Sequence, residues 1–227
     1  MSLRRSQLSR RSARSMAQPM LRTFTPLALL LASVSAGADE IAFDPAGVSE
    51  IDAINCRLDA PSYNGFAAAV GSEDDIAGKR HWKKVETDNP FMNKYELPVP
   101  IVVAGTYTTR RIAFSASGIV AILDLADPGV LAKQEGIGNA MDPEPLIAEI
   151  VASGKATREQ IEAEMPFRKV LGERVISETT ELPAKGESFG FHTRITRNIS
   201  NVSSHPGKTL YGCNYAMELI GKDGKPI

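Results

Sequence analysis

The chain has 227 residues, 43% of them hydrophobic and 23% charged, with a formal net charge of −1. That balance is ordinary for a globular protein and excludes disorder as its default state. The charge is unevenly placed: residues 1–38 hold six arginines and no acid, which leaves 20 basic residues against 27 acids and a net charge of about −7 on the rest. A surface of that sign repels phosphate backbones and anionic headgroups, so neither nucleic acid nor a membrane is an expected partner.

The arginines belong to a leader. Phe24 to Ala36 is an apolar run preceded by Arg22 and closed by Ala36-Gly37-Ala38. This is the three-part layout of a secretory signal peptide, with cleavage expected after Ala38 and Met20 as an alternative start. An Arg-rich, acid-free stretch also suits an organelle transit peptide, but such a peptide has no need of the apolar Leu27 to Ala32. Residues 39–227 are then a single globular domain, periplasmic or secreted, with no apolar run of membrane-spanning length.

In chain order, Asp39 to Glu50 reads as a lead-in and Ile51 to Leu58 as a first strand, because Ile54, Cys56 and Leu58 alternate with polar residues. Asn64-Gly65 suits a tight hairpin returning through Phe66 to Val70, although Ala67 to Ala69 would also suit a helix. Gly71 to Asn89 is polar, with its one tryptophan, Trp82, expected to fold back on the core. Phe91 to Val103 looks extended, and Pro98 and Pro100 make it an edge strand or one with an open side. Tyr107 to Phe114 and Gly118 to Leu123 form a hairpin whose second arm, apolar on both parities, runs through the middle of a sheet and needs cover above and below.

Asp124 to Asp142 reads as a long irregular connection, in which Gly136-Ile137-Gly138 is too short a fragment to be a nucleotide loop. A short helix pair follows over 143–168: Pro145 suits a first turn, Ser153-Gly154 a stop, and Thr157 with Gln160 a capping box. Glu159, Glu162 and Glu164 on the second helix oppose a DNA-recognition role. Val170 to Leu182, Ser188 to Val202 and Thr209 to Ile220 complete the strands. The fold class is therefore α+β: a mostly antiparallel sheet of six to eight strands with a short helix pair.

Cys56 and Cys213 each fall on the apolar parity of their segment, and an even count in an oxidising compartment predicts one disulfide. Closing so long a loop would stabilise the fold by about 4–5 kcal/mol on the loop-entropy relation.

No catalytic or metal motif is present; His81, His192 and His205 match no metal box, and no metal or cofactor is expected. The more informative pattern is the polar parity His192, Arg194, Thr196 and Asn198 of the late strand, with Arg197 on the otherwise apolar parity. Arg110 and Arg111 similarly place one guanidinium on each face, and an arginine facing covered surface must meet a carboxylate such as Glu178, Glu181 or Asp124, or line an anion site. Arg111, His192, Arg194 and Arg197 are the candidate ligand-binding residues, for a small anionic ligand. The primary expectation is an exported, non-catalytic binding or envelope-associated protein, acting on that ligand or on an envelope protein partner. Two alternatives stand beside it: a small periplasmic hydrolase or isomerase with a site near His192, and a partner-binding subunit that accepts a strand at the Pro98 to Ala104 edge.

Overall fold

The computed structural model describes residues 43–87, 89–165, 169–203 and 205–227, so the leader expected over residues 1–38 lies outside the described residues. Seven strands form one antiparallel sheet: β1 (Lys83–Val85), β2 (Asn93–Val103), β3 (Tyr107–Phe114), β4 (Gly118–Leu123), β5 (Leu171–Glu181), β6 (Gly190–Ser200) and β7 (Thr209–Ile220), in the order β1-β2-β3-β4-β7-β6-β5. The arm that is apolar on both parities, β4, is thus the middle strand of seven, as its composition requires. The fold is α+β.

Two segments read as β from the sequence are helical. Glu50–Ile54 is a short helix, α1, started by Ser49, whose hydroxyl accepts from the Ile51 amide. Cys56 follows it in a left-handed conformation (φ 54°) and is not on a strand. Ala60–Val70 is helix α2, with Asp59 as its cap and Pro61 in its first turn. Its Tyr63, Phe66 and Val70 fall on one buried face, a helical spacing that overrides the local Asn64-Gly65 hairpin signal. A Cβ at Gly65, in mid-helix, would fall 2.6 Å from the Phe43 ring, so a larger residue there requires that ring to move.

A further short helix, α3 (Ile76–Lys79), leads to the buried Trp82. The connection expected to be irregular over 124–142 also contains a helix, α4 (Pro128–Glu135), capped by Asp127 and stopped by Gly136 in a left-handed conformation (φ 66°). The helix pair is present as α5 (Glu144–Ala152) and α6 (Arg158–Glu164), and the Thr157/Gln160 capping box forms with both of its hydrogen bonds.

The register sorts the sheet into two faces. Rows such as Phe114, Ile119, Cys213 and Arg197, or Tyr95, Ile112, Ala121, Tyr211 and Ile199, point to the side on which α1 and α2 lie against β7. There Tyr63 stacks on Tyr215 with ring centres 4.3 Å apart, and Phe66, Trp82, Tyr95 and Phe114 form a contiguous aromatic cluster. The Cys56–Cys213 disulfide pins the end of α1 to β7, with Cα atoms 5.3 Å apart. The opposite face carries the row Lys94, Ala113, Val120, Gly212, Asn198 and Glu173, and beside it Ile122 and Leu210. Its residues are smaller.

Candidate functional site

The four residues singled out from the sequence do not converge. Arg111 donates to Asp124 Oδ1 at 2.8 Å, one of the carboxylates expected for it. Lys208 holds the same carboxylate, and the two cations together keep the Asp124 carboxyl below its usual range, the Lys208 hydrogen bond first among the causes. Arg194 pairs with Glu173 at 2.9 Å on the face opposite α1 and α2. Arg197 points the other way: it is 6% exposed, donates to the Ile54 and Asn55 carbonyls at 3.1 and 2.8 Å, and lies 4.5 Å over the Tyr211 ring. Those carbonyls belong to the end of α1, so Arg197 clamps the segment that carries Cys56. Burial lowers the guanidinium from its usual value and pushes the Tyr211 phenol up to about 12.

His192 lies between two partners on the exposed strand face, with Thr180 Oγ1 3.0 Å from Nδ1 and Glu178 Oε1 3.3 Å from Nε2. A hydroxyl, an imidazole and a carboxylate in that order match the parts of a nucleophile and base. They sit on regular antiparallel pairs, Thr180 opposite His192 and Glu178 opposite Arg194, and His192 lines neither of the two clefts described below. Acyl transfer also needs donors aimed at an oxyanion and shelter from water, and a flat strand face provides neither.

At the Pro98 to Ala104 edge, β1 covers β2 only as far as Glu96. The rest of that edge has no strand beside it among the described residues, but it is poorly suited to receive one. Pro98 and Pro100 lack donors, the register shifts between Glu96 and Ile101, and the Pro98 and Ala104 carbonyls already accept from Arg110 and Gln134.

No protein-family model, curated protein or solved structure matches the chain. Assignment of a site therefore rests on the geometry alone.

Two clefts meet at the loop after β6, where Val202 and His205 line both. The larger, about 670 Å³, is walled by polar groups already engaged in holding the chain. Asp127 accepts from the Gly129 amide, Asp142 from the Glu144 amide, Asn139 from the Leu171 amide, Glu162 pairs with Arg158, and Lys208 is bound to Asp124. Its polarity is explained by local structure.

The second cleft, about 510 Å³, opens on the face of the sheet opposite α1 and α2. Ala113, Ile122 and Leu210 come from three adjacent strands, β3, β4 and β7, and the loops around Phe91, Met92 and Val202 complete the lining. Ala113 gives the floor a small side chain where the neighbouring row on the covered face carries Tyr95 and Tyr211. Ile122 is 2% exposed, while Phe91 at 83% stands out into solvent. The polar groups on the lining are few: Glu86, Thr87, Asn89, Lys94 and His205. An apolar hollow of a few hundred cubic ångströms with a small set of polar groups is the usual form of a small-molecule site.

Sequence reasoning passed over Lys94, Phe91, Ile122 and Leu210 because they come from separate segments joined by no motif. The usable signal was β4 itself: a strand apolar on both parities needs cover on two faces, and α1 and α2 lie on one of them. Among the described residues no helix is long and apolar enough to cross a membrane, and no cluster of three His, Cys, Asp or Glu is placed to hold a metal ion.

Proposed function

We propose that this protein is an exported, non-catalytic binding protein whose small-molecule ligand occupies the cleft over Ala113, Ile122 and Leu210. The observation that carries the reading is the hollow itself: the central strands turn Ala113, Ile122 and Leu210 away from α1 and α2 into a cleft whose lining the loops around Phe91, Met92 and Val202 complete. Export draws support from the arginine-rich leader pattern and from a long-range disulfide, a bond that persists in oxidising compartments. The test is recovery of bound molecules by mass spectrometry after the protein is equilibrated with a metabolite extract. Retention of defined species that is lost in the Phe91→Ala/Met92→Ala double variant supports the reading; retention of nothing, or of the same species by both proteins, rejects it.

A second reading, a small hydrolase or isomerase at His192, draws on the Thr180–His192–Glu178 alignment. Turnover of a fluorogenic ester that disappears in both Thr180→Val and His192→Gln would favour it. Its weakness is the missing shelter, since neither cleft reaches His192.

A further inference from the structure

The cleft over Ala113, Ile122 and Leu210 carries one lysine, Lys94, that has no carboxylate within ion-pair range among the described residues. Lys94 sits on β2 between Val85 and Ala113 in the cross-strand row, half-buried, with its stem along apolar surface. Its Nζ lies 3.5 Å from His205 Nε2. A protonated lysine can only donate, so in this contact the imidazole nitrogen is the acceptor, and two ammonium protons remain for other partners. Among the described residues Lys94 shares the lack of a carboxylate within ion-pair range with other lysines such as Lys83, Lys133 and Lys169; what sets it apart is its place as the one lysine or arginine on the described lining of this cleft. Glu86 lines the same cleft but is exposed and does not reach Lys94.

Resting on the reading of this cleft as the ligand site, we infer that the ligand is an amphipathic monocarboxylate, its head on the Lys94 ammonium and its hydrocarbon over Phe91, Met92, Ala113, Ile122 and Leu210. The chemistry of the lining selects this class in three steps. An apolar floor favours a hydrocarbon body, in proportion to the area it removes from water. A cation at the edge of that floor, in surroundings of reduced dielectric, attracts an anion more strongly than it would in bulk water. A single lysine is a point charge without the planar fork of arginine, and the body around it carries about −7, so a monoanion is accommodated and a phosphate dianion is not.

The test is calorimetric titration of the protein with decanoate, decanol and decylamine, which share one hydrocarbon chain and differ in head-group charge. Decanoate is expected to bind at least about tenfold more tightly than decanol, and decylamine more weakly than either. Lys94→Gln should bring decanoate down to the affinity of decanol, Lys94→Arg should retain the preference, and added salt should weaken decanoate alone. Equal binding of decanoate and decanol, with Lys94→Gln indifferent, would overturn the carboxylate inference and leave the cleft as a neutral apolar site. Tighter binding of decylamine would overturn it by reversing the sign. Failure of both decanoate and decanol to bind would reject the cleft as a ligand site, and this inference with it.

Discussion

The two faces of the sheet are made from the same strands and differ in what was laid over them. On one face α2 brings Tyr63 and Phe66 onto Tyr215 and Phe114, a disulfide fixes the end of α1, and Arg197 holds that end by its carbonyls. On the other, Ala113, Ile122 and Leu210 form the floor of a cleft whose lining the loops around Phe91, Met92 and Val202 complete. The filled face accounts for stability, because well-packed interiors lose contacts with every atom removed. The hollow face contributes less to stability and is free to hold a ligand. Substitutions should therefore divide by face, large in stability on one and small in stability but large in binding on the other.

The largest effect is expected in the aromatic cluster. Phe66→Ala should cost about 3–5 kcal/mol of unfolding free energy by chemical denaturation, from lost burial and the cavity left behind; a loss under about 1 kcal/mol would mean that the helix face is not the packed one. Next comes the disulfide, where Cys56→Ser with Cys213→Ser should cost about 2–5 kcal/mol by the same measurement. An unchanged midpoint would remove the covalent tie from the account.

Raising the pH should strain the filled face first. Burial raises the Tyr63, Tyr211 and Tyr215 phenols above their usual value, Tyr211 up to about 12. Above pH ~10 the unfolded chain releases these protons while the folded chain retains them, so unfolding is increasingly favoured, by up to about 1.4 kcal/mol per pH unit for each such phenol. The stability is fully present below pH ~10 and is lost as the pH rises toward and through the folded values. Absorbance titration at alkaline pH should show these tyrosines ionising together with unfolding; free titration near pH 10 in folded protein would show them to be open to water.

A smaller pair of substitutions separates the two stacked tyrosines. Tyr215 donates to the Ala53 carbonyl at 2.7 Å, whereas the buried Tyr63 hydroxyl has no hydrogen-bond partner among the described residues. Tyr215→Phe should cost about 1 kcal/mol, and Tyr63→Phe should be neutral or stabilising. The reverse order would mean that the hydroxyl contacts are misassigned. The smallest effect on stability belongs to the hollow face: Phe91→Ala should stay within about 0.5 kcal/mol of the parent while weakening decanoate and decanol binding alike.

Much of the fold was legible where one physical rule acted without competition. The hairpin of β3 and β4, the central place of β4, and the boundaries of β7 follow from β-branched, alternating residues bounded by turn formers. The disulfide and the Thr157 capping box were equally readable. Legibility failed where two local signals conflicted. At 60–70, Asn64-Gly65 argued for a turn while Asp59, Pro61 and the spacing of Tyr63, Phe66 and Val70 argued for a helix, and burial against β7 decided. At 128–135, Asp127-Pro128 and Gly136 are a start and a stop signal that the surrounding loop composition masked. Of the candidate site, the arginines were visible as charges on strands, but their partners Asp124, Glu173 and the carbonyls of residues 54 and 55 are brought to them only by the fold. Lys94 stands out on the cleft for the opposite reason, since three-dimensional proximity brings it an imidazole and, among the described residues, no carboxylate.

The most direct test of the two-face account is an assigned amide NMR spectrum of the protein titrated with decanoate. The account predicts saturable shifts centred on Lys94, Ala113, Ile122 and Leu210, with the amides of Tyr63, Phe66 and Tyr215 unmoved. Shifts centred on His192 and Arg194, or none at all at millimolar decanoate, would contradict it.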